Sequence, residues 1–348
     1  MGLDPFARTK LPKTDDAPDG MPPDASPEDA AAAPVPVKKP VPSLPVRFFR
    51  YIRKHWFIYL LVLPGLIAMI VFNYGPMYGL QIAFKKLSVT KGVWGSPWVG
   101  LDNFTHMFVD KYFWVAFKNT VIINLLNLAF GFTFNIFLAL MLNEIRFRRL
   151  KSVIQTSVYL PYFLSWVIFA GLVMTFLSRS DDGGFVNAVI SAFGGQEIDF
   201  LKKPELFRAI LTVSAIVKTA GYSTIIYLAA IAGVSPDHYE SAMIDGANRY
   251  HLIRYITLPR IYPAVAVMLI LQVSGLFSSN FDQVYNLYSP FVYSTGDVLS
   301  TYIYRMSIGG GGEYEVATAT NLLFNAMGMV VVLGANRFIK KLDVMGIF

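Results

Sequence analysis

The 348-residue chain contains no cysteine. That excludes a disulfide-stapled scaffold, a thiolate metal site and a cysteine nucleophile, and it suits segments facing an oxidising periplasm. Charge is also scarce. Asp, Glu, Lys and Arg make up 15% of the residues, where soluble domains carry about 25%. The four histidines, His55, His106, His238 and His251, are dispersed. Neither His-Glu-x-x-His nor Gly-x-Ser-x-Gly occurs, so a membrane-embedded enzyme would have nothing from which to build a metal or nucleophile site. A Gly-x-x-x-x-Gly-Lys-Ser/Thr loop is missing too, so the chain cannot hydrolyse ATP itself. The glycines at 309–312 lack the lysine and the preceding strand of such a loop.

What is present is hydrophobic: 54% of the residues are apolar and 15% aromatic. The apolar residues are gathered in long runs, the mark of membrane spans rather than of a large soluble core. Six such segments are predicted to be transmembrane helices, at about 56–83, 119–142, 153–177, 206–232, 261–279 and 316–333. Each is long enough to cross about 30 Å of hydrocarbon, and irregular backbone cannot face lipid, so helix is the assignment. The predicted fold is therefore all-α and polytopic. Residues 1–45 hold about half of the chain's 20 prolines and nothing periodic enough to pack, so they read as a disordered cytoplasmic leader ahead of a transmembrane domain at 46–348.

A net charge of +7 might suggest a nucleic-acid partner, but the basic residues flank the apolar segments. Arg47, Arg50, Arg53 and Lys54 precede span 1. Arg146, Arg148, Arg149 and Lys151 separate spans 2 and 3, and Arg337, Lys340 and Lys341 follow span 6. With six spans all three clusters lie on one side, and loops rich in Lys and Arg stay in the cytoplasm. Both termini are thus expected inside a bacterial inner membrane. The loop at 84–118 is the exception, because it places Lys85, Lys86, Lys91 and Lys111 outside.

That topology makes residues 233–260 cytoplasmic. Ser235 is a good N-cap, Pro236 suits the first helical position and Asp237 favours the positive end of the helix dipole. Tyr239, Ala242, Met243 and Ala247 recur at helical spacing. Gly246 can adopt the positive φ that ends a helix. A second amphipathic piece runs from Asn248 to Thr257, before Leu258 and Pro259 lead into span 5. Two readings are open on physical grounds: a connector resting on lipid headgroups, or a ridge of small residues (Ala242, Gly246, Ala247) that lets a partner approach closely. Glu240 is either a helix-stabilising acid or a polar contact with that partner.

Glu240-Ser241-Ala242, Asp245-Gly246-Ala247 and Ile256-Thr257-Leu258-Pro259 together resemble the EAA motif of binding-protein-dependent ABC importer permeases. That pattern is Glu-Ala-Ala, three residues, Gly, about nine residues, then Ile-x-Leu-Pro, and Ser241 is its one departure. Ile226-Tyr227-Leu228-Ala229-Ala230, Phe281-Asp282-Gln283, Asp297-Val298 with Thr301-Tyr302, and Asn336-Arg337 resemble the carbohydrate branch of the family, in particular its oligosaccharide importers, with an alginate-oligosaccharide importer subunit as a specific possibility. The resemblance implies a type I importer permease (MetI-like) core in spans 2–6, with span 1 wrapping a partner. It implies a cytoplasmic coupling segment at 235–259, in which Tyr239, Glu240, Ala242, Met243, Asp245, Gly246, Ala247, Leu258 and Pro259 meet an ATPase. The implied partners are two ATPase subunits that bind ATP and Mg, a second permease that is a different chain, a periplasmic solute-binding protein and membrane lipid. The chain itself is expected to hold no cofactor or metal and to catalyse no reaction.

Candidate sugar contacts come from polar and aromatic residues at bilayer depth. Lys218, in mid-span 4, carries a charge that costs about 2.5–3.5 kcal/mol to insert, and it either meets an anionic sugar or bonds helix carbonyls. Tyr222 lies one turn away on the same face. Asn124, Asn127 and Asn135 in span 2 either line the path or bond neighbouring helices. Tyr159 and Trp166 either stack on sugar or pack. Asp282, Gln283, Tyr285 and Asn286, near the outer end of span 5, either line the cavity mouth or touch the binding protein. A secondary transporter is the runner-up, but no two halves of the chain match as its internal repeats would. A channel fits the span count and leaves the inner-face helix unexplained.

Overall fold

The computed structural model describes residues 53–278 and 280–340, and the leader expected at 1–45 lies outside them. The described residues divide into two units, with the boundary between Val71 and Phe72. In the first, α1 (Trp56–Met69) is apolar on every side and carries Pro64, the pattern of a helix immersed in lipid rather than of an amphipathic surface helix.

The second unit is built from helices. In chain order they are α2 (Asp102–Val109), α3 (Lys111–Leu126), α4 (Thr133–Glu144), α5 (Arg148–Phe163), α6 (Trp166–Leu177) and α7 (Phe185–Ala192). There follow α8 (Pro204–Ala232), α9 (Pro236–Ile244), α10 (Leu258–Ser274), α11 (Phe281–Leu287), α12 (Leu299–Met306) and α13 (Tyr314–Lys340). Among the described residues the only β pairing is an isolated bridge between Lys85 and Trp98. Among the described residues five helical runs are long and apolar enough to cross a bilayer: Trp56–Phe84, Lys111–Glu144, Pro204–Ala232, Arg249–Ser274 and Tyr314–Phe338.

The third expected span differs from expectation. Instead of one helix over 153–177, α5 and α6 meet at 110°. Pro161 lies near the end of α5, Leu164 is extended, and Ser165 starts α6 by accepting a hydrogen bond from the Ile168 N–H. Besides Ile70–Tyr74 in the first run, two spans contain π turns, Asn127–Phe132 between α3 and α4 and Leu252–Thr257 ahead of α10. The latter takes helix back to Arg249, well before the predicted start at 261, while α10 ends at Ser274.

α8 organises the unit. Of its buried residues, Phe207, Leu211, Ser214, Lys218, Gly221, Thr224, Tyr227 and Ile231 recur every three or four positions, which draws one continuous stripe along the helix, broadened by Thr212 and Ala220. At one end Phe207 and Leu211 join Ile123, Val284, Leu287 and Val298 in a core cluster. At the other, Tyr227 and Ile231 pack with Ala139 and Ile261. Gly221 is where α5 comes closest: a Cβ there would collide with the Val158 carbonyl. A further core joins Met107, Phe113, Leu299, Tyr302, Val316 and Phe324.

Candidate functional site

α9 is a short projecting helix at the end of the bundle where α8 finishes and α10 starts. The Ser235 side chain accepts from the Asp237 N–H and caps it. At its other end the Ala247 N–H donates to the Ala242 carbonyl at 2.9 Å, and the Gly246 N–H donates to that of Met243 at 3.1 Å. This crossed pair is a Schellman closure. It requires a left-handed residue at its corner, and Gly246 has φ of +81°. No atom would stand within 4 Å of a Cβ on Gly246. Backbone conformation therefore selects glycine here, and the space beside it is open.

The Asn248 side chain accepts from the His251 N–H and begins the next helical turn. The Tyr239 hydroxyl bonds Thr257 Oγ1 at 3.1 Å, and the Thr257 hydroxyl reaches the Leu252 carbonyl. Arg249 pairs with Glu144 at 3.4 Å, tying the segment to the end of α4. So the sequence-predicted residues divide. Tyr239 faces inward and anchors the knob to the π turn, Leu258 is half-buried, and Ala242 and Ala247 are half-exposed. Glu240, Met243, Asp245, Gly246 and Pro259 are exposed. Ile244, which the helical spacing passed over, is 86% exposed, against 54% for Met243.

Farther along the bundle, a hollow of about 200 Å3 is lined by Asn127, Asn135, Trp166, Gln272, Asn280 and Gln283, with Gly131 and Thr219. The side-chain Oδ1 atoms of Asn127 and Asn135 are buried without a hydrogen-bond partner. An unmet amide oxygen inside a membrane protein is costly unless water or a ligand reaches it. Gln283 is fixed rather than free, since its Nε2 donates to the Leu211 carbonyl at 2.6 Å and to Ser214 Oγ at 2.9 Å. Asn124 donates to the Leu276 and Ser278 carbonyls and holds the non-helical stretch between α10 and α11.

Lys218 is not in this lining. Its ammonium donates to the carbonyls of Pro161 (3.1 Å), Tyr162 (3.2 Å) and Leu164 (2.5 Å), which uses its three donors. Trp166, Phe169 and Tyr162 surround it, with ring centroids 5.2, 5.7 and 6.0 Å away. Of the two readings open in the sequence, the geometry favours the helix carbonyls: Lys218 closes the break between α5 and α6, where backbone oxygens would otherwise face a low-dielectric interior. Tyr222 stacks on Tyr162 at 4.3 Å and 5°.

The end opposite α9 is tied by a polar network. Asp297, 2% exposed, accepts from both terminal nitrogens of Arg305, at 3.1 and 2.7 Å, and from the Thr301 hydroxyl. Asn119 donates to the Ser294 and Asp297 carbonyls and accepts from Arg208. The Tyr302 hydroxyl donates to Asp110 at 2.8 Å. Burial first, and then that bond, push its pKa well above the usual 10.0. The Asp297 carboxylate raises that of Arg305. Asp282 is exposed, Asn286 donates to the Asp282 carbonyl, and Tyr285 stacks with Phe281 and meets Tyr304 edge-on, so α11 turns these residues away from the hollow.

Gln272, Thr219 and Asn280 went unnoticed in the sequence. Their signal was available, as polar residues in or beside otherwise apolar segments, but only the packing shows which of them share a wall with Asn127.

Apolar membrane-crossing helices, one of them broken, an amide-lined hollow and a small capped knob between two spans define a polytopic membrane transport subunit. The chain belongs to the family described as "Binding-protein-dependent transport system inner membrane component", which matches over residues 131–341. It is 40% identical over 292 residues to the polygalacturonan/rhamnogalacturonan transport system permease protein YteP of Bacillus subtilis (strain 168), covering 84% of this chain and 90% of that one. Protein LplB of the same organism is 37% identical over 318 residues, covering 90% and 99%. Among solved structures, a bacterial alginate ABC transporter in complex with an alginate pentasaccharide-bound periplasmic protein contains a chain that is 41% identical. It covers 86% of this chain and all of that one, with a TM-score of 0.79. The chain is thus an inner-membrane, multi-pass permease component of an ABC importer and not an enzyme.

Proposed function

We propose that this permease passes a sugar oligomer, with acidic oligosaccharides the foremost class, from a periplasmic binding protein to the cytoplasm. Two ATPase subunits, which bind the ATP and Mg, seat α9 in a groove, and a second, different permease chain completes the path. Both termini lie in the cytoplasm. The observation that carries this reading is the knob at α9: capped at both ends, closed at a left-handed Gly246, fastened by Tyr239 to Thr257, and exposing Met243 and Ile244. A lever must be stiff along its own length and open where its partner grips.

ATP-driven closure of the ATPases would move the two coupling knobs as rigid bodies, and the motion would pass through the Tyr239–Thr257 contact into α10. Such a shift requires the ATPase to bind one geometry of α9 more tightly than the other. Sugar as cargo is supported by the relatives' names and by a hollow of amides with one aromatic wall, which suits hydroxyls and the apolar face of a pyranose. Gly246→Asp is the direct test. It sets a side chain at a positive φ and a charge on the ridge, so uptake should be abolished and ATPase chains should no longer co-purify, while the permease still inserts. Wild-type uptake in that variant would remove the docking role.

A further inference from the structure

A second hollow, of about 290 Å3, lies between the end of α10, α12 and α13. Its wall includes Ser274, Phe277, Ser278, Asn321, Phe324 and Asn325. Asn321 and Asn325 are one turn apart on α13, both exposed, and the Asn325 amide donates to Asn321 Oδ1 at 3.1 Å. They sit inside the membrane-crossing run Tyr314–Phe338. Primary amides directed at hydrocarbon are costly, and polar residues within spans face protein or a watered cavity. By contrast, Val330 on the same helix lies outside this wall and is 65% exposed and apolar, as a lipid-facing surface should be.

The two hollows are made alike. The first has the amides Asn127, Asn135, Gln272 and Asn280 against Trp166. The second has two amides and three serines against Phe277, whose ring stacks on Phe117 at 6.2 Å and 8°. Neither lining contains a carboxylate or an ammonium. They also share one strand of chain: Gln272 and Asn280 line the first, while Ser274, Phe277 and Ser278 line the second. That stretch leaves the helix after Ser274, and Asn124 holds its carbonyls. Non-helical backbone at membrane depth is tolerated where it is buried in protein or lines a watered cavity.

We infer that the second hollow is a further sugar subsite. It engages the hydroxyls of a pyranose through Asn321, Asn325 and Ser278 and one sugar face through Phe277, so that the permease holds two units of an oligosaccharide on either side of the 275–280 stretch. This rests on the sugar-path reading above. It adds that the path selects by chain length, because a monosaccharide fills one subsite and leaves the other amide pair to water.

The absence of native cysteine makes the test direct. Single cysteines would replace Asn127, Asn325 or Val330 in the full chain, assembled with its co-expressed partner subunits. A charged, water-soluble maleimide would be applied with and without galacturonate pentasaccharide or maltopentaose. Labelling at Asn127→Cys and Asn325→Cys, none at Val330→Cys, and at least fivefold slower labelling of both path positions with either saccharide would support the subsite. Labelling of Asn325→Cys that neither sugar slows, with protection kept at Asn127→Cys, would make the second hollow a water-filled recess and overturn the inference. No labelling at Asn325→Cys, or equal labelling at Val330→Cys, would overturn it as well. Protection at neither path position would remove the sugar-path reading, and this inference with it.

Discussion

Replacing Lys218 with methionine separates a structural lysine from a sugar-binding one. The ammonium spans the break between α5 and α6 and bonds three carbonyls, those of Pro161, Tyr162 and Leu164. Methionine keeps the length and removes the donors. Hydrogen bonds to a charged group contribute about 1.5–3 kcal/mol each. Removing a charge from mid-span returns about 2.5–3.5 kcal/mol of insertion cost. The lost bonds outweigh that recovery, leaving a net destabilisation of roughly 3 kcal/mol. The assembled transporter should therefore melt at a lower temperature, and uptake should fall by the same factor for neutral and acidic oligosaccharides. Lys218→Arg, which restores charge and donors, should recover part of both. Unchanged melting together with selective loss of acidic-sugar uptake would refute the reasoning and make Lys218 a substrate contact.

Tyr239→Phe removes the hydroxyl that joins α9 to Thr257. With a typical hydrogen bond contributing about 1 kcal/mol, the permease should still assemble, but more ATP should be hydrolysed per sugar imported. An unchanged ratio would argue against transmission through this contact. The end of the bundle opposite α9 should weaken in alkali. The Tyr302 pKa is raised in the folded chain above 10.0 by burial and by its bond to Asp110, so the stabilisation is complete below pH 10 and is lost as pH rises through the folded value. Tyr302→Phe should flatten the alkaline limb of a melting-temperature profile, and an identical limb in the variant would assign it to another group.

The sequence was most legible where one residue type has a single physical meaning. Apolar length marked five of the helical runs, although helix begins well before the expected starts in two of them, at Lys111 and Arg249. Ser235, Pro236 and Gly246 marked both ends of α9, because a cap, a fixed φ and a left-handed corner each have few alternatives. The break at Leu164 was hidden, since Pro161 alone is compatible with a kinked but continuous helix. Lys218 was conspicuous yet ambiguous. A buried lysine announces that it has partners, but periodicity cannot say whether they are carbonyls 54 to 57 residues away or cargo. Asn321 and Asn325 were missed because one exposed amide in a span resembles many interhelical asparagines. Their meaning comes from Phe277 and Ser278, brought alongside from another helix end. Tyr239 falls in the segment that the EAA resemblance marks out, but its inward direction depends on the π turn that carries Thr257, which no local pattern announces.

Import of the proposed kind requires α9 to be gripped by an ATP-hydrolysing partner inside the cell. A single cysteine at Ala242, in a chain that otherwise has none, measures this in one preparation. Ala242→Cys should react with a membrane-impermeant thiol reagent only from the cytoplasmic side, and should cross-link to a co-expressed ATPase chain in a manner that changes with bound nucleotide. Labelling from the periplasmic side, or no cross-link to any ATPase in a transporter that still imports sugar, would contradict it.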